Sequence, residues 1–546
     1  MAAHEGDPVR VCVERSGLEV PVDELAALRR DDELFRSGLA GFDEVDLSQA
    51  DATFDVMRPY PDGIGEATAS PPRRTERVDA ARGTGREPVT LTEAGEALAE
   101  GRCTSTELTE RLLERIARLD RRLGAFVTVD AAGAVRQAEE ADRDIGRRRR
   151  RGALHGVPIA IKDVIDVEGL PTVANSRLRL GRPPEPHDAV VVRRLREAGA
   201  VVLGKTTTYE FAAGLPDEDA GFPHPRHPWN DEHSPLGSST GMSIAIVAGL
   251  AFGGLGTDTG GSVRAPAAAT GHTGLKCTYG ALSNRGVVAL APSLDVVGPM
   301  ARSARDCAYL LDAMSAARDG PVAGGMGAVA RLDATRGNLS GTRIGVPVPW
   351  FYDHPHCSAE SLDATQRALD AMADLGAAVD RVDLRGSGLA ATCNHVIVVS
   401  EALARHRADL ARSWALYGSH TRVTIARGAL VSAPDLVRAQ RFRSVYAQWV
   451  GELLHRYDVL VTPTTAAAAP PLRTLSASER LEAPSFTSPW NLAGLPAVAI
   501  PAGFSASGLP LSVQIVGRPF AEGTVLAVAD AYQRITDWHL RGPRLG

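Results

Sequence analysis

The sequence has few of the features that mark metal-binding or disulfide-linked proteins. Its 546 residues include six cysteines, which lie far apart and form no Cys-x-x-Cys pair. This spacing argues against both a zinc ribbon and a disulfide framework. None of the 14 histidines lies in an HExxH motif or in another dense ligand spacing. We therefore predict a protein that works without a metal ion or another cofactor.

The sequence also lacks a strong excess of charge and any long apolar run. Its 60 Lys and Arg nearly balance its 66 Asp and Glu, and a net charge of -6 gives no reason to expect nucleic acid or an anionic membrane as a partner. No stretch of about 18 uncharged apolar residues occurs, and charged residues interrupt the first 14 positions, unlike a secretory signal. We predict a cytoplasmic protein that acts on a small or neutral molecule, with a homodimer as a possible assembly.

Composition divides the chain into two parts. Residues 1–70 mix short apolar groups with acidic clusters, and residues 70–86 are polar and basic, which is typical of a linker. We predict an N-terminal extension and linker over residues 1–86 and a catalytic domain over residues 87–546. Deletion of the extension is then expected to leave a folded core.

From residue 87 onward, apolar strand-like runs alternate with helical stretches. A capping box at Thr104 and Glu107 opens one helix, and a second is expected over residues 243–250. Strands are expected at residues 157–161, 200–203, 252–255, 459–461, 497–500 and 511–516. This alternation predicts an α/β fold in which helices cover a mixed central sheet.

Three patterns suggest other functions but fit them poorly. Residues 199–206 (GAVVLGKT) match the letters of a phosphate-binding loop, yet an apolar strand stands where the loop should turn. Residues 254–260 (GLGTDTG) miss the dinucleotide-binding spacing by one residue. His224, His227 and His233 share a proline-rich stretch in which we expect a surface loop, although a serine–histidine pair is not excluded by sequence alone.

Three other segments carry reactive side chains. GVPIAIKD places Lys162 at the end of an apolar strand, where burial would favour the neutral amine. GSSTG places Ser238 and Ser239 on a glycine-flanked turn before an apolar helix. GTDTGGSVR places Ser262 after two glycines, which let backbone N–H groups turn toward a ligand. Each segment alone is more typical of an ordinary structural feature, because a lysine at a strand end is usually a solvated charge and a serine pair before a helix is usually a cap.

Taken together and in this order, the segments GVPIAIKD, LGSSTGMSIAIVAG and GLGTDTGGSVRAPAAATGHTGLKCTYG resemble the amidase signature family. The separation of 24 residues between Ser238 and Ser262 suits that pattern. The stretches SLDVVGPMARSARD, DVLVTPTT, WNLAGLPAVAIPAGF and LPLSVQIVGRPF are also similar to the family. The resemblance extends from about residue 87 to the C-terminus.

The resemblance implies a role for each matching residue. The nucleophile falls on Ser262, a proton-relaying serine held after a cis peptide on Ser238, and the general base on Lys162. The oxyanion hole falls on the backbone N–H groups of Thr259, Gly260, Gly261 and Ser262. The supporting residues are Ser239, Asp258 and Arg264. A neutral lysine that accepts a proton through a second hydroxyl is chemically able to activate a serine.

The family's usual GGSSGGS stretch is altered at Leu236, Thr240 and Met242, and Thr207 stands where asparagine is common. Larger side chains on this turn are expected to narrow the pocket, without touching the three proposed catalytic groups. We predict an amidase that hydrolyses a linear carboxamide through an acyl-enzyme on Ser262. The alternatives are an amidotransferase or amide-forming acyltransferase subunit, and an inactive scaffold that binds a partner through its extension.

Overall fold

The computed structural model describes residues 7–45, 47, 87–217, 221–315, 327–474 and 483–545. The predicted linker at residues 70–86 lies outside them. In chain order, strands β1 to β11 are Phe126–Val129, Pro158–Lys162, Val201–Thr206, Gly253–Asp258, Thr273–Lys276, Val296–Ala301, Arg343–Pro347, Ala378–Val382, Val459–Pro463, Ala497–Phe504 and Pro510–Gly517. Helices α1 to α16 are Pro8–Arg15, Val22–Leu39, Leu91–Ala99, Ser105–Leu123, Ala131–Gly146, Val190–Glu197, Thr240–Val247, Arg264–Thr270, Ala304–Ser315, Ala328–Thr335, Ala359–Asp374, Ser387–Ser413, Ser419–Ala426, Ala433–Arg456, Ser488–Leu492 and Glu522–Arg534.

The strands form one sheet in the order β1-β3-β2-β4-β6-β5-β10-β11-β9-β7-β8. Strand β2 runs parallel to β3 and β4, whereas β4 and β6, like β10 and β11, are antiparallel. Every residue of β2, β3 and β4 is buried, as expected for central strands covered on both faces. The predicted mixed sheet covered by helices is confirmed.

Local sequence signals explain several element boundaries. Thr104 caps α4 in a complete capping box with Glu107, and Gly124 ends that helix in the left-handed conformation. Residues 201–206 form β3 after α6, so the glycine-lysine-threonine sequence lies in a strand and cannot cradle a phosphate. Helix α7 begins at Thr240, three residues before the predicted start.

The first two helices lie against the rest of the fold. Leu25 and Leu28 of α2 belong to the same hydrophobic core as residues of the central sheet. Phe35 and Phe42 pack in a second cluster with side chains of α12 and α14. Residues 8–42 thus share apolar cores with the later part of the chain, and the boundary at residues 86 and 87 stays a prediction.

None of the helices in the described part of the chain combines the length and apolar content needed to cross a bilayer.

Candidate active site

Lys162 is the last residue of β2 and its side chain is fully buried. Its Nζ lies 2.8 Å from Ser238 Oγ and 2.8 Å from Thr257 Oγ1. Burial lowers the pKa of Lys162 to about 7, although the negative charges of Asp258 and Asp295 partly oppose this shift. Near neutral pH, a substantial fraction of this lysine is therefore the neutral amine.

Two other buried lysines differ from Lys162 in their partners. Lys205 on the neighbouring strand forms an ion pair with Asp163, with 3.0 Å between Nζ and Oδ1. Lys276 donates to the carbonyl of Cys277 at 2.9 Å, and burial lowers its pKa to about 7 as well. Of these three lysines, Lys162 is the one whose side-chain nitrogen contacts a serine hydroxyl.

The turn before α7 brings the two serine-bearing segments together. The Gly237–Ser238 peptide bond is cis. The carbonyl of Ser238 accepts hydrogen bonds from Thr208 Oγ1 at 2.9 Å and from the N–H of Tyr209 at 3.3 Å. The N–H of Ser239 donates to the carbonyl of Ser262 at 3.1 Å. A backbone hydrogen bond therefore joins the segments that carry the predicted relay and the predicted nucleophile, although 24 residues separate Ser238 and Ser262 in the sequence.

The loop that carries Ser262 is held by a buried ion pair. Arg264 contacts Asp258 through Nε at 3.1 Å and through Nη2 at 3.0 Å, and both side chains are fully buried. Burial alone would raise the pKa of Asp258, but the Arg264 guanidinium, together with Lys276 and Asn491, holds this pKa at about 2. Asp258 also accepts from the N–H of Gly261 at 2.8 Å and of Val263 at 3.1 Å. The carboxylate thus fixes the backbone around Ser262.

These bonds bear on the proposed oxyanion hole. Because the N–H of Gly261 already donates to Asp258, it can serve an oxyanion only if that bond breaks. The carbonyl of Gly260 accepts from Thr487 Oγ1 at 2.6 Å and from Ser488 Oγ at 3.1 Å, which fixes the peptide that follows Gly260. The proposed oxyanion donors that remain are the N–H groups of Thr259, Gly260 and Ser262.

Several residues that the sequence did not single out support the site. Asp295 accepts from Thr259 Oγ1 at 2.5 Å, and burial raises the pKa of Asp295 to about 6. Gln514 and Asn491 accept from Arg264 at 3.0 and 2.6 Å. All three lie in stretches that resemble the family, SLDVVGPMARSARD, WNLAGLPAVAIPAGF and LPLSVQIVGRPF. A polar residue inside an apolar run was the sequence signal that could have identified them.

A cavity of about 440 Å³ opens above these groups. Ser238, Ser262 and three glycines of the two turns line it, together with aromatic side chains such as Tyr209 and Trp350 and with aliphatic ones. Among the described residues, no group of three or more His, Cys, Asp or Glu is placed to hold a metal ion. The cavity therefore offers hydroxyls and backbone N–H groups for chemistry, and the buried Lys162 amine is connected to it through Ser238.

Comparison with known proteins places this chain in a family. The sequence model described as Amidase matches residues 107–526, which is more than half of the chain. The chain belongs to the amidase family. A glutamyl-tRNA(Gln) amidotransferase subunit of Roseiflexus sp. (strain RS-1) is 40% identical over 493 residues, covering 84% of this chain and 98% of that protein.

Solved structures of amidase-family members share the fold. The native peptide amidase of Stenotrophomonas maltophilia aligns with a TM-score of 0.70 and 31% identity, over 83% of this chain and 97% of that one. The corresponding glutamyl-tRNA(Gln) amidotransferase subunit of Thermotoga maritima aligns with a TM-score of 0.68 and 32% identity, over 82% and 94%. The amidase family thus includes relatives of this chain from two kinds of enzyme, a peptide amidase and an amidotransferase.

The structure differs from two expectations based on the sequence. The altered turn residues of this amidase family member, Leu236, Thr240 and Met242, are not among the described residues that line the cavity, so narrowing of the pocket is not observed. The surface-loop prediction is wrong for His227, which is buried and whose Nε2 lies 3.0 Å from the carbonyl oxygen of Ala269. Burial lowers the pKa of His227 to about 4.

Replacing Arg264 in this amidase fold should be strongly destabilising. Arg264→Met leaves Asp258 as a buried charge without its guanidinium, and we expect the free energy of unfolding to fall by about 3 to 5 kcal/mol. Urea denaturation measures this change. Arg385→Met is the control, because Arg385 is 85% exposed in its pair with Asp383 and such pairs contribute about 1 kcal/mol or less. A loss as small as that of the control would contradict the structural role given to Arg264.

Proposed function

We propose that this chain is a serine amidase that hydrolyses a linear carboxamide by two-step acyl transfer. The observation that carries the proposal is the contact between the buried Lys162 amine and Ser238 Oγ, in the cavity that also contains Ser262. A lysine with a pKa of about 7 is suited to remove a proton at neutral pH.

The proposed proton path starts with neutral Lys162. Its remaining N–H bonds can donate to Thr257, which leaves the nitrogen lone pair free to accept the proton of Ser238. Ser238 in turn takes the proton of Ser262 as Ser262 Oγ bonds to the amide carbon. The charge that develops on the carbonyl oxygen is stabilised by backbone N–H groups of the glycine-rich loop.

Collapse of the tetrahedral intermediate breaks the carbon–nitrogen bond. The proton held by Lys162 returns through Ser238 to the leaving nitrogen, so that ammonia or an amine departs and the acyl group stays on Ser262. A water molecule then attacks the ester with the same base, releases the carboxylic acid and restores the serine. Each proton taken up in the first half is returned in that half.

An amidotransferase component is the second candidate, favoured by the 40% identity to the glutamyl-tRNA(Gln) amidotransferase subunit of Roseiflexus. In that case ammonia from the first half-reaction would be passed on to another acceptor. An inactive scaffold is disfavoured because Lys162, Ser238 and Ser262 are all present.

The purified chain, tested alone, distinguishes these candidates. A panel of aliphatic, aryl, peptide and ureido amides is followed for release of ammonia or amine. The proposal expects steady turnover of at least one amide class without a partner protein. Turnover that appears only after adding an acceptor or partner protein would favour the amidotransferase, and absence of both turnover and fluorophosphonate labelling would favour the scaffold.

A further inference from the structure

Part of the cavity wall comes from outside the region matched by the amidase model. Leu34 and Phe35 line the cavity that contains Ser262, yet both lie on helix α2, well before residue 107. Phe35 is 7% exposed, and its ring meets the edge of His395 with 5.6 Å between ring centroids. The extension therefore contributes side chains to the space in which a substrate would lie.

Polar contacts fix helix α2 in this position. Asp31 Oδ2 lies 2.6 Å from Arg427 Nε, and the two side chains are 1% and 5% exposed. Glu24, about two turns earlier on the same helix, pairs with Arg422 at 3.0 Å and accepts from Trp414 Nε1 at 3.2 Å. A helix held by a buried ion pair and a second charged contact presents its side chains at defined positions.

Close backbone approach adds to these contacts. A Cβ atom added at Gly38 would lie 2.9 Å from the side chain of Thr392, which itself lines the cavity. The absence of a side chain at this position lets α2 lie directly on α12. Leu34 and Phe35 thus lie about one turn before this contact between the two helices.

The same helix sets the charge of the cavity. Among the described lining residues, Arg427 is the single lysine or arginine, and none is aspartate or glutamate. The carboxylate that faces Arg427 belongs to Asp31 of α2. Asp31 of the extension thereby pairs with the one arginine among these lining residues, and the described remainder of the lining is apolar, aromatic, histidine or uncharged polar.

We propose that helix α2 is the specificity wall of this site, and that it selects amides with an uncharged, apolar acyl group over amides whose acyl group ends in a carboxylate. Leu34 and Phe35 supply apolar contact with the acyl chain, while Asp31 keeps Arg427 from binding an acidic one. This inference rests on the amidase function proposed above, because it assigns the acyl group that Ser262 would accept.

The test compares two substrates that differ only at the far end of the chain, hexanamide and adipamate, the monoamide of adipic acid. Full-length wild type is expected to have the higher kcat/KM for hexanamide. Leu34→Ala and Phe35→Ala remove apolar contacts and should lower this preference by about tenfold, mainly through KM. Asp31→Asn removes the carboxylate that pairs with Arg427 Nε and should raise kcat/KM for adipamate by about tenfold.

Glu33→Ala is the matched control, since Glu33 is exposed on the same helix between the residues under test. Every variant is titrated with a fluorophosphonate and checked for a cooperative melt. If Asp31→Asn or Phe35→Ala does not fold, Leu34→Ala at a half-buried position still tests whether helix α2 sets the substrate preference. If folded, labelled variants keep the wild-type ratio of kcat/KM for hexanamide to kcat/KM for adipamate, helix α2 does not determine specificity. If the wild type is not labelled at Ser262, the proposed function itself is wrong.

Discussion

Ser262→Ala is expected to abolish amide turnover, with a fall in kcat of about 10⁶-fold, because loss of a serine nucleophile removes the covalent pathway altogether. Activity is measured as ammonia or amine release from the best amide of the panel. Covalent labelling by a fluorophosphonate should disappear in the same variant.

The control for this loss is Ser485→Ala. Ser485 lines the same cavity but has no part in the proposed proton path, and it contacts Ser488 Oγ at 2.5 Å. We expect its loss to change kcat by no more than about tenfold, the size of an ordinary hydrogen-bond effect. Intact labelling of Ser262→Ala, or equal losses in both variants, would contradict the assignment of the nucleophile.

The second large effect is expected at the base. Lys162→Ala should slow acylation by about 10² to 10⁴-fold, the usual contribution of a positioned general base. The pKa of Lys162 is about 7, so the neutral, active form increases as the pH rises through 7. The acylation rate of the wild type should therefore rise over this range and level off above it, and Lys162→Ala should lack that limb.

Lys276→Met tests which of the two lysines with a pKa of about 7 gives the rising limb of the pH profile. Lys276 donates to the carbonyl of Cys277, whereas Lys162 contacts the hydroxyl of Ser238. Its replacement should leave the pH limb in place. Loss of the limb in Lys276→Met and its survival in Lys162→Ala would reassign the titrating group.

The double variant tests whether Lys162 and Ser238 act as one path. Their side chains lie 2.8 Å apart. Because groups that act as a unit give non-additive losses, the variant that lacks both should be little slower than the worse single variant. Fully multiplicative losses would indicate two independent roles.

Much of this arrangement was predictable from sequence because its signals are local. The strand that ends at Lys162 and the two glycine-flanked serine turns are short, continuous patterns. The hydrogen-bond partners of Arg264 were harder to predict, because Asn491 and Gln514 lie 227 and 250 residues away from it in the sequence. Such contacts depend on how the strands and helices pack, and no local hydrophobic periodicity in the sequence predicts that packing.

The extension illustrates the same limit. Composition marks residues 1–86 as unlike the rest, but it does not reveal that Asp31 meets Arg427, 396 residues later. Scattered acidic residues in a helix are typical of a solvent-exposed face. Their burial depends on the guanidinium groups of later helices, so the position of α2 beside the cavity had no sequence signal of its own.

The proposed mechanism requires that the substrate's acyl group becomes covalently attached to Ser262. The direct test is to mix the wild-type chain with its best amide, quench in acid during turnover, and map the modified peptide by mass spectrometry. We expect the mass of the acyl group on Ser262 and on no other residue. Sustained amide hydrolysis with no acyl adduct, or with the adduct on a cysteine or histidine, would contradict it.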